Sequence, residues 1–147
     1  MAEPPTIHAD TLRQLARLLA TGGLNALALA DQLGARRVDL QGNILVQEPS
    51  ISGVASASVV REIGSNEVPK QISLDLEAPI TLGELEAAFG AAKIVAPEHP
   101  GQNRGAVFQL DQPDGEFDIR LIGALEVRGG DAIVRGLTLM RDIKLRT

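Results

Sequence analysis

The apolar residues of this chain change their spacing near residue 38, and that change constrains the fold more than any other feature. Ahead of it they recur at helical intervals. Leu12, Leu15, Ala16 and Leu19 fall at i, i+3, i+4 and i+7, one stripe of a helix. Asp10 stands where an N-cap would accept an early backbone N–H, and Gly22-Gly23 ends the segment. "LNALALADQLG" reads as a second helix, with Asn25 as cap and Gly34 as stop. The two helices are expected to form a short helical hairpin.

From Val38 onward the period is two. "VDLQGNILVQEPS" reads as extended or turn-like, and "SGVASASVVREI" as a strand of small residues ending at Gly64-Ser65-Asn66. The clearest strand is "VPKQISLDLEAPI", where Ile72, Leu74 and Leu76 alternate with Ser73, Asp75 and Glu77. Thr81-x-x-Glu84 is then a capping box opening a third helix, anchored by Leu82, Leu85 and a buried Phe89 and stopped by Gly90. The last third is a meander. Ala106, Phe108 and Leu110 alternate; "DQPDGEF" is a hairpin turn in which Gly115 supplies a positive φ; Gly129-Gly130 makes the next turn. Phe117, Ile119, Leu121, Gly123, Leu125 and Val127 share one strand face, continued by Ile133, Leu137 and Leu139. Ile122, Ala124, Val134 and Met140 are placed on the reverse face, making it apolar at its centre.

These elements predict an α+β fold over residues 1–147 as a single globular domain. It has an N-terminal helical hairpin, then a curved antiparallel sheet of about five strands, with one further helix between strands 2 and 3. Curvature is expected because Gly123 and Gly136 sit mid-strand. No internal repeat or low-complexity segment is visible.

Composition removes several kinds of chemistry. There is no cysteine, so thiol nucleophiles, disulfides and thiolate metal sites are absent. Trp and Tyr are also absent and Phe occurs three times, which leaves little for stacking grooves that bind single-stranded nucleic acid. Net charge is −5. Its location matters: residues 41–100 carry three basic and eight acidic side chains, while the flanking regions balance. That argues against a nucleic-acid partner, which needs clustered cations, and favours a protein partner with a basic surface. No apolar run approaches the ~18 residues of a membrane span, and "MAEPPT" lacks the pattern of a signal peptide. The expectation is a cytoplasmic protein by default, or a periplasmic one if a signal peptide has been removed.

No catalytic motif is complete. His99, in "APEHPGQNRG", has only His8 as a second imidazole, and no metal or other cofactor is expected. "DQPDGEFD" gathers Asp111, Asp114, Glu116 and Asp118 without EF-hand spacing. "GQNRG" precedes a strand and lacks the phosphate-binding glycine patterns. "ALADQLGARR" is similar to the second helix of a helix-turn-helix unit, but no recognition helix follows. Three readings stand. The first is a non-enzymatic protein-binding domain, an inhibitor or immunity-type partner of a basic protein, docking through Asp75, Glu77 and Glu84. The second is a carrier of a small apolar ligand in a cavity between sheet and helices; Ile122, Ala124, Val134 and Met140 would line that cavity or a homodimer interface. The third is an enzyme with a site around His99 or a carboxylate pair.

Overall fold

A computed structural model describes residues 5–40, 42–62, 64–65, 67–97 and 103–142. The described residues form three helices and eight strands. The order is α1 (Ala9–Ala20), α2 (Ala26–Leu33), β1 (Gly34–Asp39), β2 (Asn43–Pro49), β3 (Val54–Arg61), β4 (Pro69–Thr81), α3 (Leu82–Phe89), β5 (Lys93–Val95), β6 (Gly105–Leu110), β7 (Asp118–Arg128) and β8 (Asp131–Asp142). All strands join one antiparallel sheet in the order β1-β2-β3-β4-β8-β7-β6-β5.

The chain therefore writes one pattern twice: a helix followed by a four-stranded meander. The two meanders meet at the long central strands β4 and β8, and the short strands β1 and β5 form the edges. This corrects the expectation of about five strands. The segment read as extended or turn-like is a hairpin, β1 and β2, and β5 is a further short edge strand. Both edges escape a pattern search for a physical reason. An edge strand needs no buried face, so β1 ("GARRVD") and β5 ("KIV") show no alternation of buried and exposed residues. The third helix follows strand 4, not strand 2.

The helical hairpin is also corrected. Each helix packs on the sheet instead of on the other. α1 lies against β8, β7 and β4, and α2 against β2, β3 and β1. Asn25 caps α2, its side chain accepting the Ala28 N–H at 2.7 Å. Asp10 does not cap α1. His8 holds the N-cap position, and Asp10 pairs with Arg13 within the first turn. The other end of α1 is closed from the sheet. Arg141 donates to the carbonyls of Leu19 (2.9 Å) and Thr21 (3.2 Å) while its guanidinium lies over Phe117 at 4.4 Å. Thr81 caps α3 as read, its Oγ1 accepting the Glu84 N–H at 3.1 Å, the forward half of the capping box. Leu85 is the buried anchor of α3, whereas Phe89 is only half-buried, tilted against Phe108 at 6.1 Å and covered by the Arg13 guanidinium.

Strand alternation puts the core on one face. Ile44, Val59, Ile72, Leu139, Leu121 and Phe108 lie side by side across six strands, each almost inaccessible. A parallel row runs through Val46, Ala57, Leu74, Leu137, Gly123 and Ala106. These rows and the inward faces of α1, α2 and α3 form one hydrophobic core between sheet and helices.

Two glycines are required by approach, not by turn geometry. A Cβ on Gly115 would stand 2.9 Å from that of Ala20, so the absent side chain lets the β6–β7 turn dock on the end of α1. No positive φ occurs there, which corrects the turn chemistry expected from sequence. Gly123 leaves room for Val134, whose methyls would lie 3.0 and 3.1 Å from an added Cβ. At the same place the β7–β8 register shifts by a bulge between Gly123 and Leu125.

Candidate functional site

All three helices lie on the face that carries the core, so the opposite face of the sheet has no helix over it. Register makes that face unusual. One row crosses all eight strands: Val38, Leu45, Ser58, Ser73, Thr138, Ile122, Val107 and Lys93. It holds no charge until its last member at the β5 edge. A sheet face turned to water ordinarily carries charged and polar side chains in alternation with the core; this one has small hydroxyl side chains at its middle (Ser58, Ser73, Thr138) and apolar ones on either side (Leu45, Ile122, Val107). The neighbouring row is Asn43, Val60, Gln71, Met140, Arg120 and Gln109, in which Arg120 is paired with Asp142 at 3.2 Å.

Next to the uncharged row the bulge leaves a shallow depression of about 280 Å³, lined in part by Ser73, Asp75, Arg104, Ile122, Ala124 and Thr138. The sheet thus brings together three of the residues singled out from the sequence: Asp75, Ile122 and Ala124. Asp75 is exposed and accepts a hydrogen bond from Ser56 Oγ at 2.8 Å, which fixes its carboxylate on the open face. Glu77 is exposed one strand step further, across the buried Leu76. Met140 shares the face, one row away.

Val134 and Glu84 do not join them. Val134 is fully buried among the core residues. The bulge explains it: Val134 and Leu137 are three apart yet both point inward, so parity counted back from Leu139 gives the wrong face. Glu84 stands exposed in the first turn of α3, on the helix-bearing side. Val127, expected inward, is exposed near the β7–β8 turn.

The middle of the chain concentrates carboxylates at the start of β4 and along it. Glu62 and Glu67 flank the β3–β4 turn, and Asp75 and Glu77 lie further along the strand. Among the described residues none of the four is within 4 Å of a cation. The carboxyl held away from its ordinary value is elsewhere. Asp39 is kept below the usual aspartate range, chiefly by the hydrogen bond from Arg61, with desolvation opposing. Arg61 is itself buried, alternating inward after Val59, and also donates to the Leu40 carbonyl at 2.9 Å. Its sequence position among acidic residues gave no sign of that burial.

Among the described residues no three His, Cys, Asp or Glu side chains are grouped to hold a metal ion, and no helix is long and apolar enough to cross a membrane. His99 lies outside the described residues. The Asp118 carboxylate accepts the Gln112 N–H at 2.8 Å and braces the β6–β7 turn. No family model, curated protein or solved structure matches the chain.

Proposed function

We propose that this is a non-enzymatic binding domain that docks a protein partner on the helix-free face of its sheet. The observation that carries the reading is the row from Val38 to Lys93, uncharged across seven of eight strands in register. Its apolar members, Leu45, Ile122 and Val107, gain by being covered, since apolar burial contributes roughly 25 cal/mol per Å², and the uncharged hydroxyls between them can be paired by a partner at little desolvation cost. The partner presents basic side chains around its contact patch, because Asp75 and Glu77 are exposed and, among the described residues, have no cation within 4 Å. Rim charges of this sort act mainly on the rate of encounter. The continuous cluster of buried side chains between sheet and helices favours a surface partner over an apolar ligand enclosed in the core.

The test joins identification to mapping. Photo-crosslinking from Ser58 and Ile122 in the native host captures the partner, and binding of the purified partner is then measured. Thr138→Arg, at the centre of the row, is expected to weaken binding by about tenfold or more. Asp75→Lys with Glu77→Lys is expected to slow association several-fold at low salt and to flatten its salt dependence. Gln14→Arg on α1 is the control and leaves both unchanged. A partner that binds Thr138→Arg as tightly as wild type sinks the proposal. So does a concentration-dependent dimer that Thr138→Arg dissociates, which would make the face a self-interface.

A further inference from the structure

On the opposite side of the molecule, and independently of the docking face, a cleft of about 520 Å³ opens between α1, the end of α3 and the β6–β7 turn. Its volume falls within the roughly 300–1,000 Å³ of small-molecule sites. One wall is α1. Arg13 and Arg17 stand four residues apart on it, both exposed, an arrangement in which like charges repel along a helix. Arg13 is already committed: Nη1 meets Asp10 at 2.8 Å, Nη2 donates to the Ala88 carbonyl at 2.8 Å, and the guanidinium lies 5.1 Å from the centre of the Phe89 ring. Among the described residues Arg17 has no carboxylate within 4 Å.

The facing wall is the turn, which carries Asp111 and Asp114. Both are exposed, and neither has a cation within 4 Å among the described residues. The turn is nevertheless held in place. The backbone N–H groups of Glu116 and Phe117 donate to the Ala20 carbonyl at 2.9 and 3.3 Å, Gly115 seats against Ala20, and Asp118 braces Gln112. One cleft therefore presents on one side a guanidinium and on the other two carboxylates, with no ion pair within 4 Å between them among the described residues. Phe89 and Leu110, both half-buried, supply apolar surface between them.

We infer that this cleft binds a zwitterion with an apolar body, either a free α-amino acid or a short apolar peptide. The ligand's carboxylate accepts the Arg17 fork, its ammonium sits at Asp111 and Asp114, and its side chain covers Phe89 and Leu110. A ligand bearing one charge satisfies one wall and leaves the other without a counter-ion. The braced turn and the fixed Arg13 lower the cost of ordering the site.

Amide NMR titration of the intact chain tests this with four probes: L-leucine, L-leucyl-L-leucine, N-acetyl-L-leucine and L-leucinamide. The expected result is saturable shifts at Arg17, Thr21, Asp111 and Gly115 with one of the two zwitterions below about 10 mM. Which one responds separates the amino acid from the peptide. Removing either charge, as in the acetylated and amidated probes, should weaken binding by about tenfold or more. Arg17→Ala, and Asp111→Asn combined with Asp114→Asn, should each do the same while leaving the remaining amide shifts in place, since all three side chains are exposed. The inference is overturned if neither zwitterion gives saturable shifts, if the singly charged analogues bind as well, or if Arg17→Ala retains the response.

Discussion

Arg61 and Asp39 show how much a single side chain's setting depends on its position in the sheet. Arg61 follows Val59 by one strand repeat, so alternation turns it inward, and it is buried at the end of β3. Burying a guanidinium is costly unless it is paired and hydrogen-bonded; Asp39 at 2.8 Å and the Leu40 carbonyl meet part of that demand. Asp39 is exposed, and its carboxyl is held below the ordinary aspartate range chiefly by the Arg61 hydrogen bond. Because the folded value lies below the unfolded one, the pair stabilises the fold fully above the unfolded aspartate pKa. That contribution is lost as pH falls through the folded value. Asp39→Asn should accordingly be less stable than wild type at neutral pH, and the gap should close on acidification. Urea melts over a pH series check this; a gap that stays constant with pH would assign the loss to packing instead of charge.

At the scale of elements, the bulge where β7 meets β8 decides which side chains face which way. Its physical basis is volume. Gly123 lies inward opposite Leu137, and Val134 fills the space its missing side chain leaves. Gly123→Val should overpack this point and cost about 1–3 kcal/mol in denaturant melts, as inserted methyl groups in a filled core do. Gly123→Val with Val134→Ala should recover part of the loss, because the two changes share one volume. Equal melting midpoints for wild type and Gly123→Val would contradict the packing described. The helices follow simpler rules. The caps of α2 and α3 were readable from Asn25 and from Thr81 with Glu84, since a cap is satisfied within four residues of sequence.

For the whole molecule, the seam between β4 and β8 joins the two helix-and-meander halves. Ile72, Leu74, Leu137 and Leu139 are buried there and touch across it in register. α1 reinforces the join by packing on β4, β8 and β7 together. The two halves should therefore unfold as one. Leu139→Ala is expected to cost about 2–5 kcal/mol, with a single transition in which amide signals from β2 and β6 disappear together. Separate transitions for the two halves would show that the seam couples them weakly.

Local sequence determined what could be settled over a few residues. The helices α1, α2 and α3, the caps of α2 and α3, the hairpin turn at Gly129-Gly130 and the inward faces of β4 and β6 all follow from spacings of two to four residues. The absence of thiol chemistry follows from composition. Tertiary structure decided the rest. Edge strands bury neither face and so carry no alternation, which hid β1 and β5. A bulge changes side-chain parity without changing composition, which sent Val134 to the core while Ile122 and Met140 stayed outside. Helices dock where complementary surface exists, so α1 and α2 sit on separate parts of the sheet despite being neighbours in sequence. Both candidate sites depend on the same kind of long-range choice. Ser58, Ser73, Thr138 and Ile122 become one row only through strand pairing, and Arg17 faces Asp111 only because Gly115 lets a distant turn close on the end of α1.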